Sequence, residues 1–128
     1  MSGIYAITKQ DMSTGAFNWP AGDWSLVLIG HGYRPAFEFD EYLSDIPVDQ
    51  QLSSPTALVG MEAQDGWCKA NDVAFARLTT TDRIYGLVIV RTVDNQLVAQ
   101  VDQGVGFGYA AVGGAAQIRW APIGIFRP

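Results

Sequence analysis

The stretch RIYGLVIVRT at positions 83–92 decides the fold, because its residues alternate with a period of two. In an extended chain, successive side chains point to opposite faces of the sheet. Both faces of this stretch are apolar, with Tyr85, Leu87 and Ile89 on one and Ile84, Val88 and Val90 on the other. We therefore predict a central strand of a sheet at these positions.

A β-hairpin is predicted directly after this strand. Positions 93–95 (VDN) carry the polar residues of a tight turn, and positions 96–102 (QLVAQVD) resume the alternation. The apolar side of the second strand consists of Leu97, Ala99 and Val101.

Similar short segments, bounded by turn-forming residues, recur along the chain. We predict strands at 24–29, 72–79, 115–121 and 123–126, and weaker strands at 4–8, 56–60 and 66–69. Positions 39–46 alone suit a helical turn or two. Roughly seven to nine short strands without a long amphipathic helix predict an all-β fold, an antiparallel β-sandwich that is jelly-roll-like or Ig-like.

The length of 128 residues is that of one ordinary domain. We expect a single β-sandwich domain over residues 1–128, with residues 1–20 as an arm or an added strand. No stretch has the pattern of a signal peptide or of a membrane-spanning helix, so we expect neither.

The chain is acidic and poor in charge. Charged residues make up 16% of it, against about 25% in typical soluble domains, and the net charge is -5. With only Lys9 and Lys69 as lysines, no basic stripe can follow a phosphate backbone, and we expect no nucleic-acid binding. A surface so poor in charge suits a protein that contacts other subunits.

Cys68 is the only cysteine and His31 the only histidine. One cysteine cannot form an internal disulfide or a cysteine zinc cluster, and one imidazole argues against a zinc site. His31 could act as a general base near Ser25 or Cys68, yet no nucleophile elbow or catalytic-cysteine motif accompanies it. We predict no enzymatic activity, no metal site and a solvated loop histidine.

Positions 106–111 (GFGYAA) match the dinucleotide-binding fingerprint in form. That motif requires a helix whose N-terminus meets the pyrophosphate, but here Gly113, Gly114 and a predicted strand follow. We interpret the glycines as a loop or bulge and predict no cofactor.

The densest charge in the chain is a cluster of five carboxylates: Glu38, Asp40, Glu41, Asp45 and Asp49. Their spacing is not that of a calcium loop, and no glycine divides them. We predict a solvated or partner-facing segment, since charge runs usually lie on the surface. A partner that meets it should carry Arg or Lys.

Four aromatic residues lie beside turn residues: Phe17, Trp19, Phe37 and Phe39. Aromatic side chains dominate the buried contacts between subunits. We predict that these four contact a partner, together with Glu38, Asp40, Glu41 and Tyr42. A platform for sugar binding is the alternative for the same aromatic residues.

Six segments follow one another in a specific order: WSLVLIGHGYRP (24–35), EYLSDI (41–46), NDVAF (71–75), GLVIV (86–90), LVAQVD (97–102) and IRWAPIGIF (118–126). In this order they resemble a family of short virion structural proteins of tailed bacteriophages, the capsid decoration, cement or fibre-type proteins. The first segment is similar to the family's opening strand with its small-residue, Tyr and Pro turn. The last is similar to its closing Gln-Trp-Asp and Gly-Ile-Leu signature.

This resemblance implies a capsid decoration or cement protein that self-associates as a dimer or trimer and stabilises the phage head. Its implied partners are the major capsid protein or other virion proteins, without nucleic acid or membrane. It would be made in the host cytoplasm and reside in the virion. The alternative that the resemblance leaves open is a receptor- or glycan-binding module of a tail fibre or baseplate.

Overall fold

The computed structural model describes residues 3–75, 84–101, 116–118, 120 and 124–127. Over these residues the chain consists mostly of β-strands in antiparallel sheets, with one α-helix. The predicted all-β character is confirmed, apart from that helix. In this part of the chain, no helix is long and apolar enough to cross a membrane.

The elements in chain order are β1 (Gly3–Ile4), α1 (Ala6–Ser13), β2 (Trp24–Ile29), β3 (Thr56–Ala57), β4 (Glu62–Gln64), β5 (Trp67–Lys69), β6 (Val73–Phe75), β7 (Gly86–Arg91), β8 (Leu97–Val101) and β9 (Ala116–Ile118). Five strands form a central antiparallel sheet in the order β1-β8-β7-β2-β3. Two smaller sheets pair β4 with β5 and β6 with β9. Two 3-10 turns, Leu43–Asp45 and Val48–Gln50, lie between β2 and β3.

Strand β7 is the middle strand of the central sheet, as the alternation at 83–92 predicts. It pairs with β2 in a continuous register that places Val88 opposite Val27. The predicted hairpin to β8 is also confirmed, and its turn uses Asn95 at a φ of 60°. Asparagine tolerates this left-handed conformation better than most residues, which explains its place in the turn.

One face of the central sheet, called here the tryptophan face, packs under Trp19 and Trp24. Their rings are stacked, with centroids 5.3 Å apart and planes 17° apart. The sheet contributes fully buried side chains to this cluster: Leu26, Leu28, Leu87 and Ile89. The smaller sheets and the residues after them supply the opposing layer: Cys68, Val73, Ile118 and Phe126. Burying each large apolar side chain contributes about 1.5–3 kcal/mol, so this cluster is a principal source of stability.

The opposite face, called here the tyrosine face, packs under Tyr5 and Tyr33. Its sheet residues are Val27, Ile29, Val88, Val90 and Leu97. The cluster is completed by Leu43 and Ile46 from the segment that follows Tyr33. A sheet covered on both faces explains why β2 and β7 read as apolar runs rather than as alternating apolar and polar residues.

The structure corrects the strand predicted over 4–8. Strand β1 ends at Ile4, and helix α1 begins at Ala6. Thr8 is the only buried residue of α1, and its hydroxyl donates a hydrogen bond to the Leu97 carbonyl across 2.7 Å. A short helix held by so little buried surface lacks the apolar stripe that a sequence pattern can reveal.

The other strand predictions are confirmed where the structure describes them. Strands β2, β3, β5, β6 and β9 lie within predicted segments, and one 3-10 turn lies within 39–46. The segment 123–126 provides only an isolated bridge, from Phe126 to Cys68. Strand β4 was not predicted, because all its residues are exposed and polar or small. The glycine-rich stretch 106–114 and positions 76–79 lie outside the described residues.

Candidate functional site

The carboxylate cluster lies in a long connection between β2 and β3, which we call the acidic loop (residues 36–49). Its first part is fixed by a chain of hydrogen bonds. The Tyr33 hydroxyl donates to Asp40 Oδ2 across 2.7 Å, and the Ala36 amide donates to the same oxygen across 3.0 Å. Because Tyr33 has a single hydroxyl hydrogen, the Tyr5 hydroxyl at 2.8 Å must donate to Tyr33. The loop is thereby linked to the start of α1.

Tyr5 and Tyr33, the two tyrosines of this hydrogen-bond chain, are neutral at ordinary pH. Burial raises the pKa of Tyr5 and of Tyr33 far above the usual value near 10. For Tyr33, the hydrogen bonds to Tyr5 and Asp40 raise the pKa further. The phenols therefore stay protonated and act as the donors and acceptors that hold the loop.

The middle of the acidic loop is held by the β7–β8 hairpin and by Asp45. The Leu97 amide donates to the Glu41 carbonyl across 2.8 Å, and the Leu43 amide donates to the Asn95 carbonyl across 2.9 Å. Asp45 Oδ2 accepts from the amides of Glu41 and Tyr42 at 2.8 and 3.1 Å. The hydrogen bond from Glu41, followed by that from Tyr42, lowers the pKa of Asp45.

The acidic loop presents apolar side chains to solvent from this fixed backbone. Phe39 is 78% exposed, Val48 83% and Tyr42 40%. These are three of the six exposed large apolar side chains among the described residues. Glu38 and Glu41 are exposed beside them. Large exposed apolar side chains next to charged ones in a single loop suit a surface that contacts another protein.

The structure separates the predicted contact residues into two groups. Glu38, Phe39, Glu41 and Tyr42 are exposed on the acidic loop, whereas Asp40 is half-buried and bonded to Tyr33. Phe37 is half-buried with its ring 5.0 Å from that of Tyr5. Phe17 is half-buried against Trp24, at 5.2 Å between ring centroids.

Trp19 is a correction to the predicted contact set. It is 2% exposed, and its indole Nε1 donates to the Lys69 carbonyl across 2.8 Å. Proximity to turn residues was a misleading signal, because Trp19 lies in a turn and is nevertheless part of the buried cluster of the tryptophan face. Trp19 therefore stabilises the core of this chain. A sugar platform made of all four predicted aromatic residues is not formed, since Phe39 alone of them is exposed.

Val48 is an exposed residue of the loop that the sequence reasoning missed. It lies between Pro47 and Asp49, at the start of the second 3-10 turn. Its signal in the sequence is an isolated β-branched residue among polar and turn-forming neighbours. Such a residue has no strand or helix to bury it.

Two further predicted features can be placed. His31 is exposed in a loop, as predicted. Cys68 is buried, and burial raises the pKa of its thiol to about 12, so the thiol stays protonated. Within the described ranges, no group of three or more His, Cys, Asp or Glu side chains could hold a metal ion. No protein-family model, curated protein or solved structure matches this chain.

Proposed function

We propose that the protein is a non-enzymatic structural component of a tailed-bacteriophage virion, most specifically a capsid decoration or cement protein. In this proposal its sheets form an antiparallel sandwich of the jelly-roll or Ig type. The protein is made in the host cytoplasm, assembles as a dimer or trimer and is incorporated into the particle. The acidic loop contacts the major capsid protein or another virion protein.

The observation that carries the proposal is the exposure of Phe39, Tyr42 and Val48 on a loop whose backbone is already fixed. Ordering a mobile loop costs free energy that subtracts from affinity. Here the hydrogen bonds of Asp40 and Asp45 hold the backbone in place. Most of the apolar burial can therefore contribute to binding.

The charge of the loop supports a partner other than a second copy of the same loop. Glu38, Glu41 and Asp49 are exposed and would repel their counterparts across a twofold contact. The whole chain has only eight Lys and Arg residues against thirteen Asp and Glu. A neighbouring subunit with Arg or Lys fits the loop better, and the copies associate through other surfaces.

Repetition makes such a contact effective even when a single one is weak. A shell presents the same neighbour many times, and a dimer or trimer that engages several neighbours gains affinity without any new type of contact. Only 16% of the residues in the chain are charged, and a surface poor in charge is compatible with this repeated packing.

Heads of the parent phage that lack this protein provide the test. Wild-type protein added to them should bind, and the double variant F39S/V48S should bind at least about tenfold more weakly, because two apolar contacts are lost. The matched control is V59S, which removes an exposed valine beside β3, on the sheet edge opposite β1. It should bind like wild type.

Two further measurements complete the test. Reversing charge with E38K/E41K should slow association and reduce its dependence on salt. Sedimentation of the purified protein should give a dimer or trimer. A wild-type protein that never associates with heads, or a double variant that binds as well as V59S, would contradict the proposal.

A further inference from the structure

A partly open cleft lies on the tyrosine face. It is at the end of the central sheet opposite the β7–β8 turn, which contacts the acidic loop. Its volume is about 260 Å³, and its described lining residues are His31, Tyr33, Arg34, Pro35, Tyr85 and Gln100. Small-ligand sites combine apolar walls with a few placed polar groups, and the volume of this cleft is slightly below their usual range.

Gln100 is the unusual residue of this cleft. It lies on β8 opposite Val88 and so projects to the tyrosine face, where it is only 2% exposed. Its side-chain carbonyl Oε1 is buried, and no group among the described residues donates a hydrogen bond to it. A buried acceptor without a donor is destabilising, so its retention requires a reason.

The rim of the cleft supplies the complementary chemistry. Arg34 and His31 are exposed, and the described lining contains no carboxylate. Arg34 offers a planar set of donors that suits a carboxylate. Tyr85 is 45% exposed and offers an aromatic face, while Pro35 adds apolar surface.

The His31 side of the rim is held in place by Gln50. The Gly32 amide donates to Gln50 Oε1 across 2.8 Å, and the Gly30 amide donates to the Gln50 carbonyl across 3.0 Å. A Cβ on Gly32 would lie 2.8 Å from the Gln50 amide, so the absence of a side chain permits this close approach. The rim therefore has a defined shape before any ligand binds.

We propose that this cleft binds a small acidic sugar, of the uronic acid class. The Gln100 side chain turns toward the cleft, where its Oε1 accepts from a sugar hydroxyl, while the carboxylate pairs with Arg34 and the ring packs against Tyr85. A neutral sugar lacks the ion pair, and a simple carboxylate lacks both the hydroxyl donor and the ring face. The cleft adjoins the acidic loop through Tyr33 and Pro35 but uses none of the exposed side chains of that loop, so the proposal does not depend on the proposed virion contact.

Titration calorimetry of the full chain with D-glucuronate, D-glucose and acetate tests the proposal. Glucuronate should bind, and glucose and acetate should each bind at least about tenfold more weakly, since glucose lacks the ion pair and acetate lacks the hydroxyl donor and the ring. The methyl glycoside of glucuronate should bind as well as the free sugar if the natural source is a chain end of a polysaccharide. Weaker binding of the glycoside would instead indicate the free sugar.

Two variants and a control locate the site. R34A should weaken glucuronate binding about tenfold, whereas K9A, which removes an exposed cation on α1, should leave it unchanged. Q100L should also weaken binding about tenfold while its midpoint of thermal unfolding stays equal to or above that of wild type, because an unpaired buried carbonyl is removed.

The proposal is overturned if glucuronate does not bind, or if acetate binds as tightly as glucuronate. It is also overturned if Q100L lowers the unfolding midpoint while leaving the affinity unchanged, because the amide would then be a structural group. Amide shifts in the NMR spectrum that leave out residues 31–34 and Tyr85 would equally contradict it.

Discussion

The Tyr5 hydroxyl lies 2.8 Å from the Tyr33 hydroxyl, and both side chains are buried on the same face of the sheet. The Tyr33 hydroxyl in turn donates a hydrogen bond to Asp40 Oδ2 across 2.7 Å. We expect Y33F to lower the free energy of unfolding by about 1–3 kcal/mol, because it leaves the buried Tyr5 donor without a partner and leaves Asp40 Oδ2 with only the Ala36 amide as donor. Denaturant unfolding at neutral pH measures this loss.

The matched control is Y5F, which should cost less. In that variant Tyr33 still donates to Asp40 and loses only a bond that it accepts. The double variant Y5F/Y33F should cost less than the two single changes added together, since no orphaned phenol remains. Strict additivity would show that the two hydroxyls do not interact.

Asp45 should stabilise the acidic loop in its charged form. Its pKa is lowered by the hydrogen bonds from Glu41 and Tyr42, so its contribution is fully present above the unfolded pKa near 3.8. That contribution is lost as the pH falls through the lower folded pKa. D45A should therefore lose about 0.5–1 kcal/mol at neutral pH, since the carboxylate is exposed and water partly replaces its two hydrogen bonds.

The control for this prediction is D45N, which keeps an oxygen acceptor and removes the charge. It should retain part of the lost stability at neutral pH. Urea unfolding at neutral pH and again below the folded pKa checks the sign, because the difference between wild type and D45A should shrink in acid. A difference that grows in acid would contradict the assignment.

Cys68 should be unreactive in the folded protein. It is 3% exposed, and burial raises the pKa of its thiol to about 12, so the reactive thiolate is scarce near neutral pH. An aromatic disulfide reagent at about pH 8 should release no chromophore from native protein and one equivalent per chain after unfolding. Rapid reaction in the native state would show that the layer over the tryptophan face opens readily.

The central strands could be predicted because their own residues indicate burial on both faces. Strands β2 and β7 are apolar on both sides, and the turn at Asn95 has the residue type that a left-handed position accepts. Helix α1 could not be predicted in the same way. It depends on contacts with distant residues, such as the Ala6 amide donating to the Phe37 carbonyl across 2.7 Å.

The charge of the acidic loop could be predicted from the sequence, but only some of the side chains exposed for contact could. The carboxylates at 38–49 indicate a surface segment, and Phe39 is exposed there. The burial of Trp19 depends on Trp24 and on the Lys69 carbonyl, 50 positions away. Nothing local distinguishes an aromatic residue that turns outward from one that turns inward, because the choice is made by the surface available after folding.

Gln96 joins α1 to the β7–β8 hairpin and should control the stability of the helix. Its Nε2 donates to Asp11 Oδ2 across 2.8 Å and to Thr8 Oγ1 across 3.3 Å, while its Oε1 accepts from Arg91 across 3.0 Å. Q96L should keep the sheet and loosen α1, lowering the free energy of unfolding by about 1–3 kcal/mol because Asp11 and Arg91 lose partners.

Hydrogen exchange should accelerate at the amides of α1 before those of β7, since local opening exposes the helix first. Q10L makes the same chemical change at an exposed position of α1 and should leave these rates unchanged. Equal acceleration in α1 and β7 would mean that the helix and the sheet unfold as one unit.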